Sequence, residues 1–298
     1  MSGRLGGVYT QLSPHRAQRV DLPGRHGTIA ALRAAASGRD LGATVLLLPG
    51  FTGSKEDFAP LVDPIADAGF EVVAVDLPGQ YESAGSRLEG DYLPERLGAD
   101  LVDVVGKLAA EGRRVLLVGH SYGGMVARGA VLAGAPTAGV TLMSTGPEAL
   151  PPGDRRDALD LGETVLRAQG IEESQRLNEV RQAMNPRWAS LPEELRDFYR
   201  TRFLRSSTAG LLGMGTGLRS EPDLVAKLSR KLRTSCVPCL VVCGEHDDAW
   251  SPASQRDMAE RLDADFAVLP GVGHSPGTEA PDALLATLLP TWRAWLRP

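Results

Sequence analysis

The sequence predicts an α/β chain: a doubly wound, mostly parallel sheet with a helical insertion. Three observations carry this. Short apolar blocks recur along the chain and are continuous rather than alternating, as strands buried on both faces read. Helical periodicity separates the blocks, which is the rhythm of a sheet with helices on both faces. Between Gly146 and about Leu232 the blocks stop and only helical patterns remain. A chain of 298 residues has room for one large core plus an insertion.

In chain order, Met1–Gly7 lacks an apolar h-region and is expected to be mobile. Gly27–Arg33 is a weak early strand, and Ala43–Leu48 is the first strong one. Ser54 caps a helix with Asp57 three residues on. Phe58, Leu61, Val62, Ile65 and Ala66 then form one buried face that ends at Gly69. A strand over Glu71–Leu77 leads to a helix over 94–110, with Leu97, Leu101, Val104, Val105 and Leu108 inward. The strand Val115–Val118 feeds a helix running from the turn at Ser121 to about Leu132, followed by the strand Ala138–Met143.

The insertion contains a helix over 172–184. Another follows Ser190, with Pro192 in its first turn and Glu193 completing a capping box. In this second helix Leu195, Phe198, Tyr199 and Phe203 share a stripe. Strands return at Val237–Val242 and Phe266–Leu269, with helices near 252–263 and 280–296. The expected division is a core of 1–146 plus 234–298 and a helical cap of 147–233.

Composition excludes several function classes. Hydrophobic residues make up 43% and charged residues 23%, so the chain is neither disordered nor fibrous. The net charge is −5 and no cluster of five or more basic residues occurs, so no nucleic-acid partner is expected. No run approaches the length of a membrane span, and with no signal peptide the expected compartment is the cytoplasm. Cys236, Cys239 and Cys243 lie close together without forming a disulfide framework. The C-x-x-C lies at a strand and has no second pair for zinc, so these are expected to be buried structural thiols; no metal or cofactor is expected.

The chemistry concentrates at Gly119-His120-Ser121-Tyr122-Gly123-Gly124. This G-x-S-x-G follows a buried strand and opens a helix, a context that lifts a serine hydroxyl above the sheet. A serine is a poor nucleophile without a base. His274 lies in the loop after the last strand, at the carboxyl edge that also carries Ser121. The loop after Val237–Val242, Gly244-Glu245-His246-Asp247-Asp248, ends at the same edge and supplies an acid to orient the imidazole. Adjacent side chains diverge, so one aspartate faces His274: Asp247 is favoured, Asp248 is the runner-up and Glu245 a minor candidate. Oxyanion donors are expected from the backbone N–H of Tyr122 and, in the loop Pro49–Gly53, of Phe51.

With these residues the chain resembles a serine-dependent α/β-hydrolase-fold protein with a helical cap. The resemblance covers about residues 28–296. It rests on Pro49-Gly50-Phe51, Asp76-Leu77-Pro78-Gly79, Gly119-His120-Ser121-Tyr122-Gly123, Gly244-Glu245-His246-Asp247 and Gly273-His274. It implies the triad Ser121, Asp247, His274 and the two backbone donors, and its G-x-x-D spacing at Gly244 favours Asp247. Pro49 stands where many members carry His. Tyr81 replaces a glycine in Gly79-Gln80-Tyr81-Glu82-Ser83, which puts it at the expected pocket entrance. A serine at 121 speaks against relatives that form an ester on a carboxylate. Trp188 and Phe198 in the insertion, with Trp250, either line an apolar pocket or hold the cap to the core. The expected activity is hydrolysis of an ester-type bond in a small, mainly apolar substrate through an acyl-enzyme. The alternatives are a cyclase or lyase of specialised metabolism using the same pocket, and a non-catalytic ligand-binding homologue.

Overall fold

The computed structural model describes residues 9–184 and 186–297; Met1–Gly7 lies outside them. The strands are β1 (Gln18–Gly24), β2 (Gly27–Ala34), β3 (Ala43–Leu48), β4 (Glu71–Val75), β5 (Arg114–His120), β6 (Thr137–Met143), β7 (Cys239–Gly244) and β8 (Asp265–Leu269). The helices of the sheet layers are α1 (Ala59–Asp67), α2 (Pro94–Ala110) and α3 (Tyr122–Leu132). Then come α4 (Asp154–Gln169), α5 (Ile171–Ala183), α6 (Pro186–Ala189), α7 (Glu193–Arg205) and α8 (Thr208–Ser220). The chain closes with α9 (Val225–Ser235), α10 (Pro252–Leu262), α11 (Pro276–Glu279) and α12 (Pro281–Trp295).

The strands form one sheet in the order β1-β2-β4-β3-β5-β6-β7-β8. β1/β2 and β2/β4 pair antiparallel and the remaining ladders are parallel. The central strands are apolar throughout because both of their faces are covered. Leu46 and Leu48 of β3 enter one core while Ala43, Val45 and Leu47 enter the other. The first core lies under α2, α3, α9 and α10, and the second under α1 and α12. From β3 the chain steps outward to β4, then crosses back to place β5 on the other side of β3. That reversal opens a crevice at the carboxyl ends of β3 and β5, where sites in open α/β sheets form.

Helices α4–α8 leave the sheet after β6, and α9 returns to it, packing against α3 and α10. The neck of the excursion is pinned by a buried arginine. Arg128 of α3 donates to the Pro147 carbonyl at 2.7 Å and to Glu221 at 2.8 Å, one partner on each side of the excursion. Both guanidinium bonds satisfy a charge that would be costly to bury alone. Ala149 and Leu150 N–H groups also donate to the carbonyls of Glu221 and Leu218. Among the described residues no helix is long and apolar enough to cross a membrane.

Cys239 and Cys243 are buried, and burial pushes both thiols up to about 12. Cys236 departs from the expectation of a buried thiol: it is exposed. It is the left-handed C-cap of α9 (φ 51°), three residues before β7 begins.

Candidate active site

Ser121 occupies the turn between β5 and α3, with φ 53° and ψ −120°. A non-glycine residue in that region is strained and persists only where its surroundings over-determine it. Here the Ser121 N–H donates to the Met143 carbonyl at 2.9 Å and its own carbonyl accepts from Gly124 at 2.9 Å. A Cβ at Gly119 would strike the Gly123 carbonyl, and one at Gly123 would strike the Leu48 carbonyl. The turn therefore packs this tightly only with glycine at both positions.

The Ser121 hydroxyl lies 3.0 Å from His274 Nε2, and His274 Nδ1 lies 2.9 Å from Asp247 Oδ1. A carboxylate only accepts, so Nδ1–H donates to Asp247 and Nε2 is left to accept the serine proton. Asp247 also accepts from the Ala249 N–H (3.0 Å) and from Gln255 Nε2 (3.0 Å). Burial pushes its carboxyl up, but the hydrogen bond and charge of His274 together with these two donors outweigh burial and hold it below the ordinary 3.8.

Asp248 turns outward, with a 65% exposed side chain, and pairs with Arg155 of α4 at 2.6 Å. The runner-up acid is thus held away from His274 by the divergence of adjacent side chains. Glu245 accepts from the Gly271 N–H at 2.8 Å, tying the β7 loop to the His274 loop rather than facing the imidazole.

Several supports have no signature in the sequence. Glu279 accepts from the N–H groups of Gly273 (2.7 Å) and Ser275 (2.8 Å), clamping both sides of His274. His120 Nε2–H donates to the His274 carbonyl at 2.8 Å. Burial, reinforced by the charge of His274, pushes the His120 imidazole from 6.5 down to about 4. Gln80, 2% exposed, reaches the Gly50 carbonyl at 2.8 Å.

Phe51 lies beside Ser121 in the loop after β3, and Gly50 approaches so closely that a Cβ there would sit 3.1 Å from Ser121 Cβ. Among the described residues, neither the Phe51 nor the Tyr122 N–H donates to a backbone carbonyl outside the regular elements. Tyr122 opens α3, so its N–H also stands at the positive end of a helix dipole.

These groups face a cavity of about 630 Å³ between the sheet edge and α4–α8. Trp188 and Trp250 line it. Trp250 is fixed by donating Nε1–H to the Glu148 carbonyl at 3.2 Å. Tyr81 and Phe198 do not line it, which corrects their expected place in the pocket. Their rings meet edge to face at 5.9 Å, and the Tyr81 ring lies between the cations of Lys55 (4.7 Å) and Arg205 (4.9 Å). Cation–π attraction to those two charges holds the Tyr81 ring outside the cavity lining. Part of the lining is apolar: Leu166, Leu211 and Leu212 form a cluster against which Phe51 packs. Helix α5 adds polar lining: Gln175, Asn178, Arg181 and Gln182.

The model of the alpha/beta hydrolase family matches residues 45–287. A putative 2-succinyl-6-hydroxy-2,4-cyclohexadiene-1-carboxylate synthase of Bacillus subtilis (strain 168) is 27% identical over 262 residues, covering 82% of this chain and 88% of that protein. The dihydrolipoyllysine-residue acetyltransferase component of the acetoin cleaving system of Cupriavidus necator is 32% identical over 223 residues, covering 72% of this chain and 54% of that protein. Among solved structures, a thermophilic esterase from Thermogutta terrifontis superposes with a TM-score of 0.72 at 22% identity, over 94% of this chain and 100% of that one.

Proposed function

We propose that this chain, which belongs to the alpha/beta hydrolase family, is a serine hydrolase that cleaves an ester-type bond through an acyl-enzyme. The observation that carries the reading is the hydrogen-bonded series Ser121, His274, Asp247, with bonds of 3.0 and 2.9 Å, opening onto the cavity. Ser121 Oγ attacks the ester carbonyl while its proton passes to His274 Nε2. Asp247 stabilises the imidazolium, and the N–H groups of Phe51 and Tyr122 hold the oxyanion. The imidazolium then protonates the departing alkoxide oxygen, leaving the acyl group on Ser121. Water gives a proton to His274 as it attacks the acyl carbon, and the imidazolium returns that proton to Ser121 Oγ as the acyl–oxygen bond breaks and the acid leaves. The apolar cluster of Leu166, Leu211, Leu212 and Phe51 favours an apolar group on the substrate, and the polar side chains of α5 favour a polar group elsewhere on it. Helices α4–α8 act as the lid that selects the substrate, while α9, inside the expected cap of 147–233, packs on α3 and α10 over the sheet instead.

A second reading follows from the name of the Bacillus subtilis relative, a carboxylate-forming synthase. Arg155, Arg181 and Arg202 line the cavity; Arg155 is already paired with Asp248 (2.6 Å) and Arg202 with Asp57 (2.7 Å), so Arg181 is the guanidinium that suits a carboxylate substrate. In that case the Ser121–His274 pair removes a proton next to a carbonyl, and the same N–H donors hold an enolate.

Intact-protein mass measured during turnover of a panel of p-nitrophenyl esters separates the two. A transient mass increase equal to the acyl group, abolished in Ser121→Ala, is expected. The Ser121→Ala loss in kcat is expected to be large, on the order of 10⁶ as in another serine hydrolase. Turnover with no acyl adduct, or retained ester cleavage in Ser121→Ala, removes the acyl-enzyme.

A further inference from the structure

The loop between β4 and α2 carries a side chain that touches neither Ser121 nor His274 yet reaches the backbone beside them. Gln80 follows Gly79 at the position just before Tyr81. Its carboxamide is satisfied at both ends. Oε1 accepts from the Leu77 N–H at 3.0 Å, which fixes the amide's orientation, and Nε2 donates to the Gly50 carbonyl at 2.8 Å. Met214 of α8 caps the same Nε2 at 3.9 Å.

The Gly50–Phe51 peptide is planar and trans, so its C=O and N–H point in opposite directions. Holding the Gly50 carbonyl toward Gln80 therefore turns the Phe51 N–H to the other side. Gly50 packs against Ser121, and both Gly50 and Phe51 line the cavity. The turn alone supplies one further restraint, Gly53 N–H to the Gly50 carbonyl at 3.0 Å. Thr52, between them, sits at φ 58°, so the loop has a strained residue that a second anchor must hold in place.

We propose that Gln80 is a positioning residue for the oxyanion site: it sets the direction of the Phe51 N–H. The inference rests on the serine-hydrolase reading above. Its loop is also bound to the cap, because the Ser207 N–H donates to the Gly79 carbonyl (2.8 Å) and the Tyr81 N–H to Ser206 Oγ (3.3 Å). The peptide that meets the oxyanion is thereby tied to the junction of α7 and α8.

The test compares wild type with Gln80→Glu and Gln80→Met. Glu keeps the size and the acceptor for Leu77 but places an oxygen against the Gly50 carbonyl. Met fills the volume without either bond. Each is assayed for kcat and KM on one p-nitrophenyl ester and for affinity toward an alkyl boronic acid, which forms a tetrahedral adduct on the serine. Thermal unfolding selects the variants that retain the fold, and if one fails the other carries the test. A misaimed donor is expected to lower kcat about 10²-fold with KM within about threefold. Boronate affinity should fall in parallel. Wild-type kcat and boronate affinity in a folded variant overturn the role of Gln80. A rise in KM alone also overturns it, since that is loss of ground-state binding. Failure of the underlying reading is separate: wild type itself would then show no Ser121-dependent turnover.

Discussion

Replacing Asp247 by asparagine tests the acid with no change in size, and the surrounding bonds set the expected magnitude. The carboxylate meets three donors: His274 and Ala249 N–H at Oδ1, and Gln255 Nε2 at Oδ2. An asparagine has one oxygen and one amide nitrogen to place in those two positions. With its NH₂ toward His274, two donors are confronted at once. With its NH₂ toward Gln255, only one is, and Gln255 can turn its amide over because its Oε1 is buried without a partner. That turn gives up the Gln255 bond to the Trp250 carbonyl (2.8 Å). The second arrangement is the cheaper, and it keeps an oxygen on His274 and therefore the imidazole tautomer.

What Asp247→Asn removes is then mainly charge. Two unit charges about 4 Å apart attract by ~4 kcal/mol at an effective dielectric of about 20. At ~1.36 kcal/mol per decade this is about a 10³-fold loss of kcat. A loss of about 10⁴ would instead signal the wrong tautomer, as in a triad of another fold. Asp248→Asn breaks only an exposed pair with Arg155 and is expected to stay within about fivefold of wild type. The assay is kcat on one ester, normalised by active-site titration. A loss below tenfold in Asp247→Asn, or a collapse confined to Asp248→Asn, refutes the assignment.

His120 and Asp76 give opposite slopes of stability against pH. His120 titrates at about 4 when folded against 6.5 in the free chain, so the unfolded state binds more protons between those values. Stability from this group is complete above 6.5 and is lost as the pH falls toward 4, by up to about 3 kcal/mol. Burial, only partly opposed by Lys55, raises Asp76 to about 6, so its contribution has the reverse sign and is lost as pH rises from 3.8 through 6. Urea unfolding of His120→Gln is expected to show stability falling with rising pH between 4 and 6, and an unchanged wild-type slope contradicts the assignment. Lys55, 1% exposed, holds Asp76 (3.1 Å), Glu56 (2.8 Å) and Glu82 (2.9 Å). Lys55→Met should cost about 3–5 kcal/mol at pH 8 and less at pH 5, where Asp76 takes a proton; a cost independent of pH would mean the pair is not what is broken.

The central strands are legible because each is apolar on both faces, and that pattern has few other causes. β1 is not legible: it is an edge strand with alternating exposure and a proline, Pro23, so it resembles a polar loop. α8 is missed for the opposite reason. Gly210, Gly213, Gly215 and Gly217 lower its helical propensity, and their purpose lies outside the helix. A Cβ at Gly213 would strike the Glu89 carbonyl, and one at Gly217 would meet Tyr122 Oη at 2.6 Å, so tertiary approach selects glycine where local propensity argues against it. In the site, the spacing of Ser121, Asp247 and His274 is readable because each ends a strand at one edge of the sheet. The pocket residues are less so: Tyr81 and Phe198 share the aromatic character of Trp188 and Trp250, and the contacts that keep Tyr81 out of the lining, with Lys55, Arg205 and Phe198, are all distant in sequence or in the cap. Gln80, Gln255 and Glu279 act through side chains that reach across the chain to backbone groups, and nothing local marks them.

Glu279 apart, which is acidic and accepts from Gly273 and Ser275, the supports named around the site share one chemical feature. Gln80 holds the Gly50 carbonyl, Gln255 holds Asp247, and His120, kept uncharged by burial, holds the His274 carbonyl. All three are neutral donors, although an arginine or lysine could make the same bonds more strongly. A fixed cation there would attract Asp247 away from the imidazolium and compete with the N–H groups for the developing oxyanion. In a site screened from water such competition is expensive, because charges act at long range in low dielectric. Neutral donors fix geometry through dipoles rather than a full charge, so in the proposed mechanism Asp247 is left as the charge that answers the imidazolium and two backbone dipoles answer the oxyanion. On this argument, a charged replacement at Gln80 or Gln255 costs more turnover than a neutral one that loses the same hydrogen bond.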